Sequence, residues 1–365
     1  MFQNINSFNF TNVENNIVDV TIPPFCFSMQ HFILSNRAAL NASEDIDKWI
    51  DLIFGVNQTG QGAIQNKNLF PKITYHNYDL NESEMTLEMF ELQLFNVGQC
   101  PSQIWKKKHP QRQKILQPKA PLVEEIQSQQ TNSLQVVVND LTVVCDKELM
   151  TITFQRSNLK ETFSDFGFTG IEFINASADG QFIVVDLSNY SFVIRVPKKN
   201  ERVLFFNNYP IPEGYRSTID TTDLLCASYN EHNVIIWDFV KGILHRDLVF
   251  KDDKIIYCCF DERNGIIWII TTTIAHLYSI NCAVIAKVML MPGVTSACFV
   301  DKISSVVLGL NSGKLAKLTY SPLMNLINTT VDVDVSSKPI TSLRSEINGK
   351  VFATNSENAQ FVITY

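Results

Sequence analysis

Residues 133–154 read SLQVVVNDLTVVCDKELMTITF. Short runs of Val, Ile, Thr and Phe alternate with Asn, Asp and Lys at turn-like intervals, the period-two pattern of strands joined by polar turns. The pattern recurs. Six similar segments follow one another: ELMTITF from Glu148, YSFVIRV from Tyr190, NVIIWDF from Asn233, IAHLYSI from Ile274, GKLAKLT from Gly313 and AQFVITY from Ala359. Successive starts lie 42, 43, 41, 39 and 46 residues apart, and each interval holds two or three further strand candidates, such as IIYCCF and GIIWII ahead of IAHLYSI. About four strands every 40–45 residues is the period of a β-propeller. Six segments imply about six blades; a seventh, incomplete one stays open, because little sequence precedes Glu148.

Composition bounds the function. The 365 residues are 45% apolar and 18% charged, with 25 Phe, which is globular rather than disordered. A formal net charge of −7 argues against nucleic-acid binding or general membrane coating, both of which need excess Lys and Arg. The opening MFQNINSFNF lacks a basic, apolar leader pattern, and no apolar run approaches the ~18 residues of a membrane span. A soluble, cytoplasmic protein is expected. The eight cysteines show neither C-x-x-C nor zinc-type spacing, so they read as reduced, buried small hydrophobes, and no metal or cofactor is expected.

Before about residue 105 the period is helical. Ser28 is placed to cap a helix running to about Leu40, and Ser43 to cap a second, with Glu44 and Asp45 against its N-terminal dipole. In that second helix Ile46, Trp49, Ile50 and Ile53 fall on one stripe, which predicts their burial, and Gly55 sits where a left-handed cap would end it. Leu87, Phe90, Leu94 and Val97 predict a third helix closed by Gly98. The VNQTGQGA stretch after the second helix lacks the Gly-Lys-Ser/Thr ending of a phosphate loop and reads as a turn. The Pro- and Gln-rich stretch beyond the third helix reads as a linker, giving a division into 1–112, a linker at 113–131 and a propeller at 132–365.

The N-terminal blocks carry a resemblance. WIDLIFG (Trp49–Gly55), DVTIPPF (Asp19–Phe25), FILSNRAAL (Phe32–Leu40), NLFPKITY (Asn68–Tyr75) and NVGQCPSQIWKKKHPQR (Asn96–Arg112) stand in the order found in BEACH domain proteins. The region is identified as a member of that family over roughly residues 5–112. SYNEHNVIIWD, ending in Trp237-Asp238, likewise resembles the closing segment of a WD repeat. BEACH domains are commonly followed by such a propeller, so the resemblance and the periodicity agree on a multidomain chain: a mainly α and irregular BEACH-like region, incomplete, then an all-β propeller. Two features depart from the family: Asn57-Gln58-Thr59-Gly60 has lost the usual basic residues, and a full BEACH domain is considerably longer. The chain is then read as a piece of a longer protein or as a reduced family member, with apolar helix faces left exposed.

The resemblance implies a non-enzymatic scaffold for vesicle traffic, lysosome-related organelles or autophagy, on cytoplasmic endomembranes. It would recruit proteins without a small-molecule substrate. Binding positions implied by the family motifs are Trp49, Asp51, Gln99, Pro101 and Gln103. Lys106, Lys107, Lys108 and Arg112 form the one basic concentration, suited either to a solvated linker or to anionic lipid head groups. An adaptor working through the propeller alone, with an inert BEACH remnant, is the second reading, and loss of function a third. A cysteine hydrolase is the fourth: GQCPSQIW echoes a papain-like string, and His245 lies at a suitable distance, but Gln103 stands where the nucleophile belongs. Asp47 and Asp51 could do acid–base work as a pair; the plainer expectation is a solvated Asp47 and a buried Asp51 paired with a nearby arginine such as Arg37. Vicinal Cys258 and Cys259 alternate on a strand, one facing in and one out.

Overall fold

A computed structural model describes residues 21–26, 28–75, 78–79, 86–111, 122–126, 134–138, 141–146, 151–156, 159–163, 170–177, 180–197, 203–346 and 349–365. The chain divides into two compact units, Met1–Gln117 and Pro118–Tyr365.

In the first unit Ser28 begins α1 (Met29–Ala42) as expected, its Oγ accepting the His31 N–H at 3.0 Å. Ser43 does not cap the second helix. It ends α1, and Asp45 precedes α2 (Ile46–Ile53) without a side-chain cap. The VNQTGQGA stretch, expected as a turn, winds into a short helix, α3 (Gly60–Gln65). α4 (Leu87–Val97) is capped by Thr86, whose Oγ1 accepts from Met89 N–H at 3.3 Å, and stops at Gly98 with φ of +77°.

Burial on α2 reverses the sequence expectation. Trp49 is 51% exposed, and Ile46, Ile50 and Ile53 are only partly covered. The buried residues are Asp47 and Asp51, one turn apart on the opposite face. Periodicity identified an apolar stripe but not the side against which the helix packs. Asp47 is therefore not solvated; its Oδ1 is buried without a hydrogen-bond partner. Gly55 does not adopt the left-handed cap either: α2 ends at Phe54. Its missing side chain instead makes room for Asp51, since a Cβ there would lie 2.6 Å from Asp51 Oδ1. Among the described residues of this unit, Leu34 is the one large apolar side chain that is fully buried, while Phe25, Leu69, Leu87 and Ile104 are each more than 60% exposed. That agrees with the expected exposure of apolar helix faces.

The second unit is built from four-stranded antiparallel sheets in chain order. Its first strand, β1 (Leu122–Ile126), belongs to the last of these sheets. The first sheet is β2 (Leu134–Val138), β3 (Leu141–Asp146), β4 (Thr151–Arg156) and β5 (Leu159–Phe163). Next come β6 (Ile171–Ala176), β7 (Phe182–Leu187), β8 (Tyr190–Arg195) and β9 (Leu204–Pro210). The third sheet holds β10 (Arg216–Asp220), β11 (Leu225–Tyr229), β12 (Asn233–Asp238) and β13 (Ile243–Val249). The fourth holds β14 (Ile255–Asp261), β15 (Ile266–Thr271), β16 (Ile274–Ser279) and β17 (Val284–Met289). The fifth holds β18 (Val294–Val300), β19 (Ser305–Leu310), β20 (Lys314–Ser321) and β21 (Leu326–Asp334). The last is β22 (Ile340–Ser345), β23 (Lys350–Asn355) and β24 (Gln360–Thr364), completed on its outer side by β1.

The first strands β2, β6, β10, β14, β18 and β22 touch in that order, each sheet forming one blade of a propeller. All six recurring segments of the sequence fall on the third strand of a sheet, not on its closing strand. The outer strand comes afterwards, and for the last sheet it comes from the other end of the unit: Leu122 pairs with Thr364 and Ile126 with Gln360. The expected linker at 113–131 is corrected accordingly, since residues 122–126 are a strand; the remainder of that stretch lies outside the described residues. Both faces of each inner strand are covered by neighbouring blades. For that reason Cys258 and Cys259 are both buried, at 1% and 4% exposure, instead of one facing out.

Candidate interaction sites

In the first unit an extended strap, residues 100–109, lies along the end of α2. Ile104 and Trp105 N–H both donate to Phe54 O, at 2.8 and 3.0 Å. Gln103 Nε2 donates to Gly55 O at 3.1 Å, Gln58 Nε2 donates to Pro101 O, and His109 N–H donates to Asp51 Oδ1 at 3.0 Å. Asp51 is thus the buried anchor of the strap, and its described partner is a backbone N–H in place of the arginine expected. Phe54 meets Trp49 and Trp105 edge to face, with centroids 6.4 and 6.3 Å apart. The structure therefore brings together Trp49, Asp51, Pro101 and Gln103; the Gln99 side chain points to solvent. Lys106, Lys107 and Lys108 are exposed on the strap, and Arg112 lies outside the described residues. Cys100 is turned into this framework, its N–H donating to Thr74 O at 2.7 Å and its Sγ to Thr74 Oγ1 at 3.4 Å. His245 is exposed in the middle of β13, on the other unit.

Because Trp49 is half exposed, Trp49→Ala is expected to change stability by less than about 1 kcal/mol, far below the 3–5 kcal/mol of a buried tryptophan. Urea titration of the full chain followed by circular dichroism measures it, and a loss above about 2 kcal/mol contradicts the surface placement.

In the propeller Trp237 is fully buried at the end of β12 and stacks on Tyr209, with centroids 5.6 Å apart at 19°. Its Nε1–H donates to Ser228 Oγ at 3.0 Å. Ser228 Oγ lies 2.7 Å from Ser217 Oγ, which lies 3.1 Å from Ser191 Oγ. Ser191 Oγ donates to Asp186, and Ser217 N–H donates to the same carboxylate at 2.6 Å. A buried polar chain thus ties the second sheet to the third. Burial pushes the Asp186 carboxyl up to about 6 against the opposing hydrogen bonds. Asp238 beside the tryptophan holds a turn, accepting from Val240 and Lys241 N–H at 2.9 and 2.8 Å. The WD pair is structural here. Sequence reading missed Asp186, though its position as the one carboxylate in the apolar run FIVVDL is a signal of buried ionic hydrogen bonding.

At the centre of the ring is a cavity of about 480 Å³, lined by the first strands of five sheets. Every sheet has four alternating strands and hands the chain on to the next, so these first strands all run the same way. One mouth therefore gathers strand starts, with Arg216, Thr295 and Thr341; the other gathers strand ends, with Glu262, Asp301 and Glu346. The Arg216 guanidinium lies over the Phe173 ring, 5.8 Å from its centroid. Asp301 at the far mouth is paired with Arg263. Nothing in the sequence marked Arg216, since its significance depends on ring closure. Among the described residues no group of three or more His, Cys, Asp or Glu is placed to hold a metal ion.

Residues 1–112 match the family model described as Beige/BEACH domain. This segment is similar to the BEACH family. Over 124 residues, 32% of the chain, it is 36% identical to a putative neurobeachin homolog of Caenorhabditis briggsae. It is 39% identical over 101 residues to BEACH domain-containing protein B of Arabidopsis thaliana, and 36% over 122 residues to Beige protein homolog 1 of Schizosaccharomyces pombe. These matches cover 26% and 31% of the chain. The three alignments span only 5%, 4% and 5% of those relatives' own lengths. A chain of the solved "Crystal Structure of Mitotic Checkpoint Complex" aligns over 72% of this chain and 98% of its own, at 12% identity and a TM-score of 0.46, too slight a likeness to argue from. Within this segment the strap and α2 carry Trp49, Asp51, Pro101 and Gln103.

Proposed function

We propose that the chain is a non-catalytic recruitment scaffold working at cytoplasmic endomembrane surfaces in vesicle traffic or autophagy. What carries the reading is the conjunction of BEACH-family sequence with a six-sheet propeller, two folds of the kind that hold protein partners. The membrane-facing part rests on Lys106, Lys107 and Lys108, which stand exposed on the strap next to Trp105. Near an anionic surface three lysines supply about 3 kcal/mol. Trp49 would meet a partner directly, while Asp51 and Gln103 hold the strap that presents it. Burial raises the thiols of Cys226, Cys258, Cys259 and Cys298, which makes these four poor nucleophiles. No helix among the described residues is long and apolar enough to cross a membrane.

Proximity labelling by the full chain fused to a biotin ligase tests the reading. Enrichment of proteins of endomembrane surfaces over bulk cytosol is expected, reduced when Lys106, Lys107 and Lys108 are replaced by alanine. A profile indistinguishable from that of the free ligase overturns it. Enrichment unaffected by the lysine replacements would favour the propeller-only adaptor.

A further inference from the structure

We propose that the central cavity of the propeller receives an acidic peptide segment of a partner protein, whose carboxylate pairs with Arg216. The inference rests on the recruitment reading and names the chemistry of one partner.

Two observations converge on it. The cavity, at about 480 Å³, lies within the range of ligand-sized pockets and has mixed polar and aromatic walls. Arg216 stands at the mouth formed by the strand starts, exposed and held over Phe173, and among the described residues no carboxylate lies within ion-pair reach of it. A guanidinium set over an aromatic ring keeps its planar fork oriented for a bidentate carboxylate, which a flexible lysine would not do.

The mouth of the strand ends is of mixed charge: Glu262, Asp301 and Glu346 stand there with Arg344, whose guanidinium lies over Phe352, 4.9 Å from its centroid, and Asp301 is paired with Arg263. Tyr257 stiffens the wall between the two mouths, its hydroxyl oxygen accepting Phe299 N–H at 3.1 Å from the neighbouring sheet. With a chain of net charge −7, long-range steering works against an acidic partner, so recognition depends on this local pairing.

The test is fluorescence anisotropy of the purified full chain with rhodamine-labelled pentapeptides Gly-Glu-Phe-Glu-Gly, Gly-Gln-Phe-Gln-Gly and Gly-Lys-Phe-Lys-Gly. The acidic peptide is expected to bind at least tenfold tighter than the other two. Arg216→Ala should weaken it at least tenfold, and Arg216→Lys by an intermediate factor. Arg216→Gln, which keeps the aliphatic stem over Phe173, serves if the alanine variant does not fold. Equal binding of the acidic and Gln peptides, undiminished binding by folded Arg216→Gln, or no binding of the acidic peptide overturns the proposal. So does full displacement of that peptide by an equimolar amount of inorganic phosphate, which would make the site one for small anions. A retained endomembrane labelling profile alongside any of these outcomes removes this inference alone and leaves the scaffold reading standing.

Discussion

Trp237→Ala is expected to cost about 4–5 kcal/mol of stability, enough to unfold a large fraction of a chain whose domains are worth about 5–15 kcal/mol. The side chain is fully buried, so truncation removes its whole transfer free energy and leaves a cavity between the second and third sheets. Its stacking on Tyr209 adds about 0.5–1.5 kcal/mol beyond burial. Loss of the Nε1 donor also leaves Ser228 with one partner fewer in the serine chain. Urea titration followed by far-ultraviolet circular dichroism reads the change as a fall in midpoint. Trp237→Phe separates the contributions: it keeps most of the ring packing and loses the N–H, and should cost about 1–2 kcal/mol. A loss below 1 kcal/mol for the alanine variant would mean that the two sheets do not depend on this contact.

Stability should also fall as pH rises from about 4 to about 6, opposite to the usual effect of carboxylates. Asp186 is fully buried and its carboxyl is raised to about 6, because desolvation outweighs the hydrogen bonds from Ser191 and Ser217. In the unfolded chain it returns to an ordinary value near 3.8. Between those values the folded state binds more protons than the unfolded one, so the favourable contribution is complete below pH 3.8 and lost as pH climbs through 6. A shift of about two units corresponds to about 3 kcal/mol. Asp220, 1% exposed and also raised to about 6 by burial, acts in the same sense. Asp186→Asn isolates the first share. Its unfolding free energy, subtracted from that of the parent chain at each pH, should change by about 3 kcal/mol between pH 4 and pH 7.5, with the variant relatively more stable at the higher pH. Parallel curves would show that Asp186 does not titrate in this window.

The propeller was legible because its third strands advertise themselves. β16 and β12 are apolar runs packed between neighbouring blades and bounded by Asn, Asp and Gly turns, and they return at an almost constant spacing. The outer strands were harder to read: ILHRDLV of β13 is exposed along nearly its whole length, so selection for burial leaves no pattern there. β1 was taken for linker because its partner is β24, and no local signal records a pairing across the whole unit. On α2 the stripe of Ile46, Trp49, Ile50 and Ile53 was real as a pattern, but the strap of residues 100–109 engages the carboxylate face, and hydrophobicity alone does not encode that choice. The site residues divide in the same way. Asp51, Pro101 and Gln103 came from family-like blocks and do meet. Arg216 and Asp186 acquire their roles from neighbours on other sheets, which a reading along the chain does not bring together.

Strand β1 closing the last sheet has a consequence for the order of events during synthesis. At about 5–20 residues per second, the ribosome needs on the order of 10–50 s after making β1 before β24 emerges to receive it. During that interval β1 has no sheet to join, and the growing ring presents unpaired strand edges, which favour association with other nascent chains. Quality control acting on this protein would therefore meet it most often as an open ring awaiting its final strand.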